Sequence, residues 1–344
     1  MDAETSTFLP AQGALARLAN LGILAVTGED AASFLHSQLT NDIEGLGEDE
    51  ARLAGYCSAK GRLLGIFLVW RVGNTYYLAL RADLLAPLAK RLSMFVLRAK
   101  VVIANVSDRL LLYGLMGAQT ARAADGFEAF FEAVAGVAPA EEAPAVGRYS
   151  HVAGPLASVL GVPGALGRSR WLLAVEGHAL TRLDSAAQGL PRISSEVWSW
   201  LDIRAGVPQV APPTQDRFVP QMINFEALGG VNFKKGCYPG QEVVARSQYL
   251  GKLKRRMTLG HVSEAEVPVA GSDVFHSLSG ANAIGTVVAA EAAPEGGVDL
   301  LLEVPLETSA AGTLRLGDAS GPQVSLLELP YPLPQNDVFV RPRL

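Results

Sequence analysis

The residues best suited to chemistry in this 344-residue sequence surround Cys237. Lys235 and Gly236 precede this cysteine directly, and a Pro-Gly pair follows Tyr238. Neighbouring cations stabilise a thiolate, and glycine leaves the approach to the sulfur open. The setting favours a reactive thiol, but a single cysteine is more often a small buried hydrophobic residue. The residues alone leave both interpretations open.

The same region is basic although the protein is acidic. The whole chain carries a net charge of −5, whereas residues 234–256 hold one acid, Glu242, and seven cations, namely Lys234, Lys235, Arg246, Lys252, Lys254, Arg255 and Arg256. A local positive patch predicts an anionic ligand or partner. A solvated basic turn is the alternative, and it stays open. The negative total argues against nucleic-acid or membrane binding driven by bulk charge.

Cysteine content and hydropathy exclude several classes of protein. Cys57 and Cys237 are too few for a disulfide framework or a self-contained iron–sulfur cluster, and no CxxC pair suggests a zinc site. No apolar run reaches the roughly 18 residues that cross a bilayer. Residues 1–10 also lack the pattern of a signal peptide. We therefore expect a cytoplasmic protein with no membrane contact and no metal site of its own.

Strand and helix patterns alternate irregularly around these residues. Residues 51–80 and 101–115 are predicted as strands, with Gly73-Asn74 as a turn, and residues 82–94 have helical spacing. Because the regular rhythm of a doubly wound sheet is missing, we expect an α+β layer. After residue 257, short apolar runs separated by Gly, Ser and Pro predict a small β-barrel.

Two predicted helices border further polar residues. Thr27 and Asp30 predict the start of a helix that ends before Asn41-Asp42, since a Thr side chain accepts from first-turn amides and an acid favours the positive end. Residues 194–204 predict a second helix, which ends at a Gly-Val-Pro sequence.

Longer stretches of the chain resemble a known family. The diagnostic stretch runs from Phe218 to Arg246, with FKKGCYPGQE at its centre, and resembles the YgfZ-type folate-binding family of iron–sulfur cluster maturation. Upstream, residues 38–43 (QLTNDI) and 58–62 (SAKGR) resemble motifs that this family shares with the glycine-cleavage aminomethyltransferases. The resemblance extends from residue 21 to residue 257.

The resemblance implies an α+β fold of three parts in a ring-like arrangement. Two layered, ferredoxin-like α+β domains of the aminomethyltransferase type are expected at residues 1–110 and 111–256, and a small β-barrel at residues 257–344. It also implies tetrahydrofolate or a derivative in the central cavity. Apolar walls with a few polar groups suit a pterin, and cations suit its glutamate tail.

The resemblance also assigns roles to individual residues. Cys237 is the expected functional thiol with Lys235 beside it, in a motif made of Lys235, Gly236, Cys237, Tyr238, Gly240, Gln241 and Glu242. The expected folate-binding residues are Asn41, Asp42, Asp202, Arg204, Gln241 and Arg246. For Asn41 and Asp42, a turn that ends a helix is the alternative.

One pair of these residues departs from the family pattern. The family places arginine, and glutamate two residues later, before Ala-Gly, and the glutamate is the expected partner of the pterin. Here Asp202 and Arg204 carry these charges in the opposite order. Arginine cannot accept the N–H groups of a pterin. Either Asp202 takes over that role, or the two residues form only an ion pair.

The leading hypothesis is a folate-binding accessory protein for assembly or repair of iron–sulfur clusters, which supports tRNA-modifying iron–sulfur enzymes indirectly. Its expected partners are reduced folate and iron–sulfur assembly or client proteins. The motif by itself implies no catalytic turnover.

Three alternatives remain. A tetrahydrofolate-dependent aminomethyl- or methyltransferase needs no thiol, so the cysteine motif argues against it. An RNA-binding tRNA-modification factor would need aromatic residues among the cations, and only Tyr238 and Tyr249 are present. A cysteine hydrolase would need a histidine beside Cys237, and none of the five lies near it in sequence.

Overall fold

The computed structural model describes residues 9–118, 127–136, 147–249, 253–309 and 312–334. Helices and strands alternate irregularly up to residue 249, and strands alone follow. The elements before the barrel are β1 (Ala14–Arg17), β2 (Leu21–Thr27), α1 (Ala31–Gln38), β3 (Glu50–Cys57), β4 (Leu63–Val72), β5 (Thr75–Arg81), α2 (Ala82–Ser93), β6 (Val102–Asn105), β7 (Leu110–Met116), α3 (Glu128–Ala135), β8 (Tyr149–Ala153), β9 (Ala157–Ala165), β10 (Arg168–Glu176), α4 (Leu180–Ala186), β11 (Arg192–Ile193), α5 (Ser195–Arg204) and α6 (Gln241–Tyr249).

One sheet runs through both α+β halves. Its 11 described strands follow the order β11-β1-β7-β10-β9-β8-β3-β4-β5-β2-β6. The halves join where β3 pairs with β8, in the register Glu50↔Ser150 and Ala51↔Tyr149. Strand β1 pairs with β7 and β11, so the first strand of the chain belongs to the second half of the sheet. The predicted α+β class is confirmed, and the domain boundary at residue 110 stays a prediction.

The carboxy-terminal part is a closed barrel. Its strands follow the order β12-β15-β14-β13-β16-β17. An apolar cluster that includes Val274, Val287 and Leu300 fills its interior. The predicted barrel is therefore confirmed, with the strands β12 (Arg255–Val262), β13 (Asp273–His276), β14 (Gly285–Ala292), β15 (Val298–Pro305), β16 (Leu314–Leu316) and β17 (Gln323–Leu327).

Helix α5 lies where the sheet and the barrel meet. It contacts β1 and β9 of the sheet and β14 and β15 of the barrel. Residues two positions apart on a helix point in different directions, because one turn takes 3.6 residues. The helix therefore sends polar side chains from its last turn toward both neighbours. In the described part of the chain, no helix has the length and apolar character needed to cross a membrane.

The start of α1 differs from its prediction. Thr27 does not cap this helix, because it pairs with Val102 at the end of β2. The helix begins at Ala31, and the side chain of Asp30 accepts a hydrogen bond from the Lys100 backbone N–H at 2.7 Å. A tertiary contact thus replaces the local cap that the sequence suggested.

Candidate functional site

The Pro-Gly turn of the Cys237 segment packs against an amino-terminal motif. Gly240 has a φ of +79°, and a Cβ at this position would lie 2.4 Å from the Cα of Gly61 and from the carbonyl oxygen of Ser58. Gly61 itself has a φ of +69°. Only glycine combines this backbone conformation with so close an approach. The SAKGR and KGCYPGQE motifs therefore form one structural unit.

The QLTNDI motif forms the other side of this unit. The Thr40 hydroxyl donates to the Gly230 carbonyl at 2.6 Å and accepts from the Gly55 N–H at 2.7 Å. Asn41 donates through Nδ2 to the carbonyls of Leu53 at 2.8 Å and Gly229 at 2.7 Å. Both amide hydrogens of Asn41 are therefore used to hold backbone, as the turn alternative for this residue requires.

Lys235 joins the cysteine loop to helix α1. Its Nζ donates to the backbone carbonyls of His36 and Leu39, the latter at 2.7 Å, and so places a cation at the negative end of the helix. It also lies 5.1 Å from the centre of the Tyr238 ring. Burial lowers the pKa of Lys235 to about 8, although nearby Asp42 and Glu44 favour its charged form.

Cys237 itself is a free and exposed thiol. Gln241 folds back across the turn and donates to the carbonyls of Lys235 at 3.5 Å and Gly236 at 3.4 Å. Glu242 lies exposed in the first turn of α6, and Arg246 lies exposed in its last turn. The loop thus holds its backbone by internal bonds and leaves the sulfur accessible.

Cys57, the other cysteine, has the opposite character. It is buried and free, and burial, together with the nearby carboxylate of Asp216, raises its pKa to about 12. Such a thiol neither reacts nor ligates at neutral pH. Of the two cysteines, Cys237 is therefore the one available for chemistry.

The structure adds His36, which sequence spacing could not associate with the motif. A Cβ on Gly236 would lie 3.4 Å from His36 Nε2, so the imidazole borders the residue just before Cys237. On its other side, His36 Nδ1 lies 3.1 Å from Asp42 Oδ1. The signal available in the sequence was the position of His36, two residues before the QLTNDI motif.

Asp42 is held firmly for its part beside His36. It accepts from the Gly45 N–H at 3.0 Å, and Arg52 Nη1 lies 3.3 Å from its Oδ2. Burial alone would raise the pKa of Asp42, but the Gly45 amide, Arg52 and His36 together lower it below its ordinary value. Asp42 thus belongs to the surroundings of Cys237.

A separate cavity of about 480 Å³ lies between the sheet, α5 and the barrel. Its lining combines apolar side chains with charged ones from all three parts, among them Arg81 and Asp83 from the β5–α2 junction, Asp202 from α5 and Glu291 from β14. Burial and the neighbouring Glu196 raise the pKa of Glu291 to about 7 against the effect of Arg81. Volumes of about 300–1,000 Å³ are typical of small-molecule sites.

A smaller hollow of about 70 Å³ shares Trp198, Asp202 and Val207 with this cavity. Its lining also includes Tyr149, whose hydroxyl is buried and has no hydrogen-bond partner within the described residues. Arg170 donates to Asp202 Oδ1 at 2.8 Å. Burial raises the pKa of Asp202 even though Arg170 opposes the shift. The floor of the site therefore offers a carboxylate and an unsatisfied hydroxyl in apolar surroundings.

Arg204 points away from this floor. Its Nη1 lies 3.4 Å from Asp299 Oδ2 in the barrel, and the same carboxylate accepts from Trp200 at 2.7 Å. Asp202 and Arg204 therefore do not pair with each other, because each has a partner on a different element. Of the two, the structure brings Asp202 to the cavity and leaves Arg204 as a joint between α5 and the barrel.

The basic segment does not form one open patch. Arg255 binds Glu303 through two contacts, Arg256 binds Glu226, and the Lys235 ammonium is occupied by carbonyls. Lys252 lies outside the described residues. None of these described cations is in the lining of the two cavities, so they do not face a ligand tail there as expected. In the described part of the chain, no group of side chains is arranged to hold a metal ion.

Known proteins similar to this chain cover nearly its whole length. The tRNA-modifying protein YgfZ of Edwardsiella ictaluri is 32% identical over 317 residues, which cover 91% of this chain and 90% of that protein. The tRNA-modifying protein YgfZ of Cronobacter sakazakii is 31% identical over 329 residues, with 93% of each chain covered. No family model matches the sequence.

The fold has a solved counterpart. The crystal structure of the glycine cleavage system aminomethyltransferase T from Bartonella henselae superimposes with a TM-score of 0.71, covers 94% of this chain and 87% of its own, and is 17% identical. At that identity the likeness concerns the fold. The sequence relationship, over more than nine-tenths of the chain, is what assigns the family. The chain belongs to the YgfZ family, built on the fold of the glycine-cleavage aminomethyltransferase.

Proposed function

We propose that this protein is a folate-binding accessory factor for assembly or repair of iron–sulfur clusters, with Cys237 as its functional thiol. The observation that carries the proposal is the presence of two different sites in one chain. A ligand-sized cavity has the carboxylate of Asp202 in its wall, and a separate ordered loop presents an exposed cysteine.

The cavity suits a reduced folate in its chemistry. Leu21, Trp198 and Val207 supply apolar surface for a flat ring, and the Asp202 carboxylate can accept hydrogen bonds from the amino and N–H groups of a pterin. The unpartnered Tyr149 hydroxyl offers a further polar contact. We assign these residues to the pterin end. When bound, the folate would supply one-carbon or electron chemistry, and the chain would supply binding and exclusion of water.

The exposed thiol suits work on a partner. One accessible cysteine, with no metal-holding group near it among the described residues, cannot retain a cluster alone. Cys237 would therefore act on an assembly or client protein in the cytoplasm. The relatives at 31–32% identity are called tRNA-modifying proteins, which supports clients among the enzymes that modify tRNA.

Complementation in a host that lacks the gene tests the proposal. Activities of iron–sulfur enzymes and the level of the tRNA modifications that depend on them would be measured with wild type, Cys237→Ala and Cys57→Ala. We expect wild type and the buried-cysteine control to restore both, and Cys237→Ala to restore neither. Full rescue by Cys237→Ala would remove the thiol role.

The same purified protein distinguishes the aminomethyltransferase alternative, which the shared fold raises. Transfer of formaldehyde to tetrahydrofolate would be followed with and without the protein. Robust turnover would favour that enzyme activity, and we expect none above the uncatalysed rate.

A further inference from the structure

The imidazole of His36 stands between a carboxylate and the cysteine loop. Its Nδ1 lies 3.1 Å from Asp42 Oδ1, and its Nε2 is 3.4 Å from the position that a Cβ on Gly236 would take. Its side chain is 16% exposed, so it is shielded but reachable. Because Cys237 follows Gly236 directly, the ring borders the backbone that carries the exposed thiol.

The contacts of His36 fix which nitrogen can accept a proton. The Glu44 N–H approaches Nδ1 at 3.4 Å and the Glu44 carboxylate lies 3.9 Å away, both longer than the contact with Asp42. Asp42 is a carboxylate held by the Gly45 amide and Arg52, and its pKa is lowered. The shorter, charge-assisted contact makes Nδ1–H the donor. Nε2 then keeps its lone pair on the side of the loop.

The histidine and the loop are also tied together by Lys235. Its ammonium donates to the backbone carbonyl of His36 itself, and to that of Leu39. The clamp holds the end of α1 against the loop at the residue that carries the imidazole. The charged groups around His36 are thus Asp42, Glu44 and Lys235, with Arg52 behind Asp42.

We propose that His36, positioned by Asp42, is the proton acceptor for Cys237. In this step the S–H bond of Cys237 breaks, its electron pair stays on sulfur, and the proton passes to Nε2 directly or through one water. Asp42 balances the imidazolium through Nδ1–H. The thiolate can then form a bond with a soft electrophile whose leaving group departs with its own electron pair. The inference rests on Cys237 being the reacting group of the proposed function.

The pH dependence of alkylation tests this step. The full-length protein would react with iodoacetamide between pH 5.5 and 9, with the modified residue located by mass spectrometry. At pH 6.5 we expect Cys237 in His36→Gln to react about tenfold more slowly than in wild type, with the two rates converging near pH 9. His178→Gln, at an exposed histidine on another part of the chain, should match wild type.

A second variant keeps the test decisive if His36→Gln folds poorly. Asp42→Asn retains the imidazole but weakens its orientation, and we expect about a threefold lower rate at pH 6.5 with the same convergence. Profiles of folded His36→Gln and Asp42→Asn that superimpose on wild type would overturn the proposal. Since alkylation involves neither folate nor a client protein, this failure would leave the complementation result unaffected.

Discussion

The cavity beside α5 and the Cys237 loop hold their polar groups in opposite ways. In the cavity wall, Asp202 is bonded to Arg170, whose side chain is 0% exposed, and apolar residues surround the pair. In the loop, carbonyl oxygens and glycine contacts fix the backbone while Cys237 stays exposed. The first arrangement selects a small molecule, and the second presents one group to a larger partner.

This difference separates stability from function. The ion pair in the cavity wall is part of the core, so its loss affects folding as well as binding. The thiol of the loop has no such role, since the loop is held by other atoms. Each variant below tests whether the two regions behave in this way.

The largest effect is expected from the ion pair in the cavity wall. Asp202→Ala leaves the Arg170 guanidinium buried without its counter-charge, so we expect the free energy of unfolding to fall by about 3 kcal/mol. Asp184→Ala is the matched control, because its partner Arg192 is 48% exposed and such surface pairs contribute about 0–1 kcal/mol. Urea unfolding of both variants measures the difference. Equal small losses would show that the Asp202 pair is not a buried one.

A comparable effect is expected where the loop meets the SAKGR turn. Gly240→Ala would place a Cβ 2.4 Å from backbone atoms at a φ of +79°, and we expect a loss of about 2–3 kcal/mol. Gly73→Ala has a similar positive φ of +56° but no atom within 4 Å, so it should lose about 1 kcal/mol. Thermal unfolding compares the two. A Gly240 variant no worse than the control would contradict the backbone contact.

The Lys235 clamp should show in the pH dependence of stability. Its pKa falls from 10.5 to about 8 on folding, so the unfolded chain binds more protons between these values. Raising the pH through this window therefore adds stability from Lys235. We expect the unfolding free energy of wild type, relative to Lys235→Met, to rise by about 1–2 kcal/mol from pH 7.5 to pH 10. A constant difference would show that the ammonium is not desolvated.

The smallest effect concerns Glu291 at the cavity. Its pKa is raised to about 7, so it gains charge between pH 6 and pH 8, close to Asp83 and Asp202. Affinity for an anionic folate should therefore fall about fivefold over this range, and Glu291→Gln should abolish the change. Glu264→Gln, at an exposed glutamate of the barrel part, should keep it. Fluorescence titrations at the two pH values measure the affinities.

Local patterns in the sequence predicted the elements well where contacts are local. The Gly73-Asn74 turn, helix α5 and the barrel strands beyond residue 280 follow from spacing and turn residues. The role of Thr27 was mispredicted, because pairing with Val102 decides its conformation. Residue type alone cannot show such a contact.

The site was predictable only in part for the same reason. The motif and its cysteine stand together in the sequence, so their association was clear. The contact of His36 with Gly236, and the separate partners of Asp202 and Arg204, join residues from distant elements. An i to i+2 spacing on a helix gave the expected ion pair, whereas the helix directs the two side chains to different neighbours.

Titration of tetrahydrofolate against wild type, Asp202→Asn and Cys237→Ala tests the central claim, that the folate site and the thiol site are separate. Binding would be followed by calorimetry under reducing, oxygen-free conditions. We predict that Cys237→Ala binds with wild-type affinity and that Asp202→Asn binds at least about tenfold more weakly, since it loses a charged acceptor. Undiminished binding by Asp202→Asn, or loss of binding by Cys237→Ala, would contradict the account.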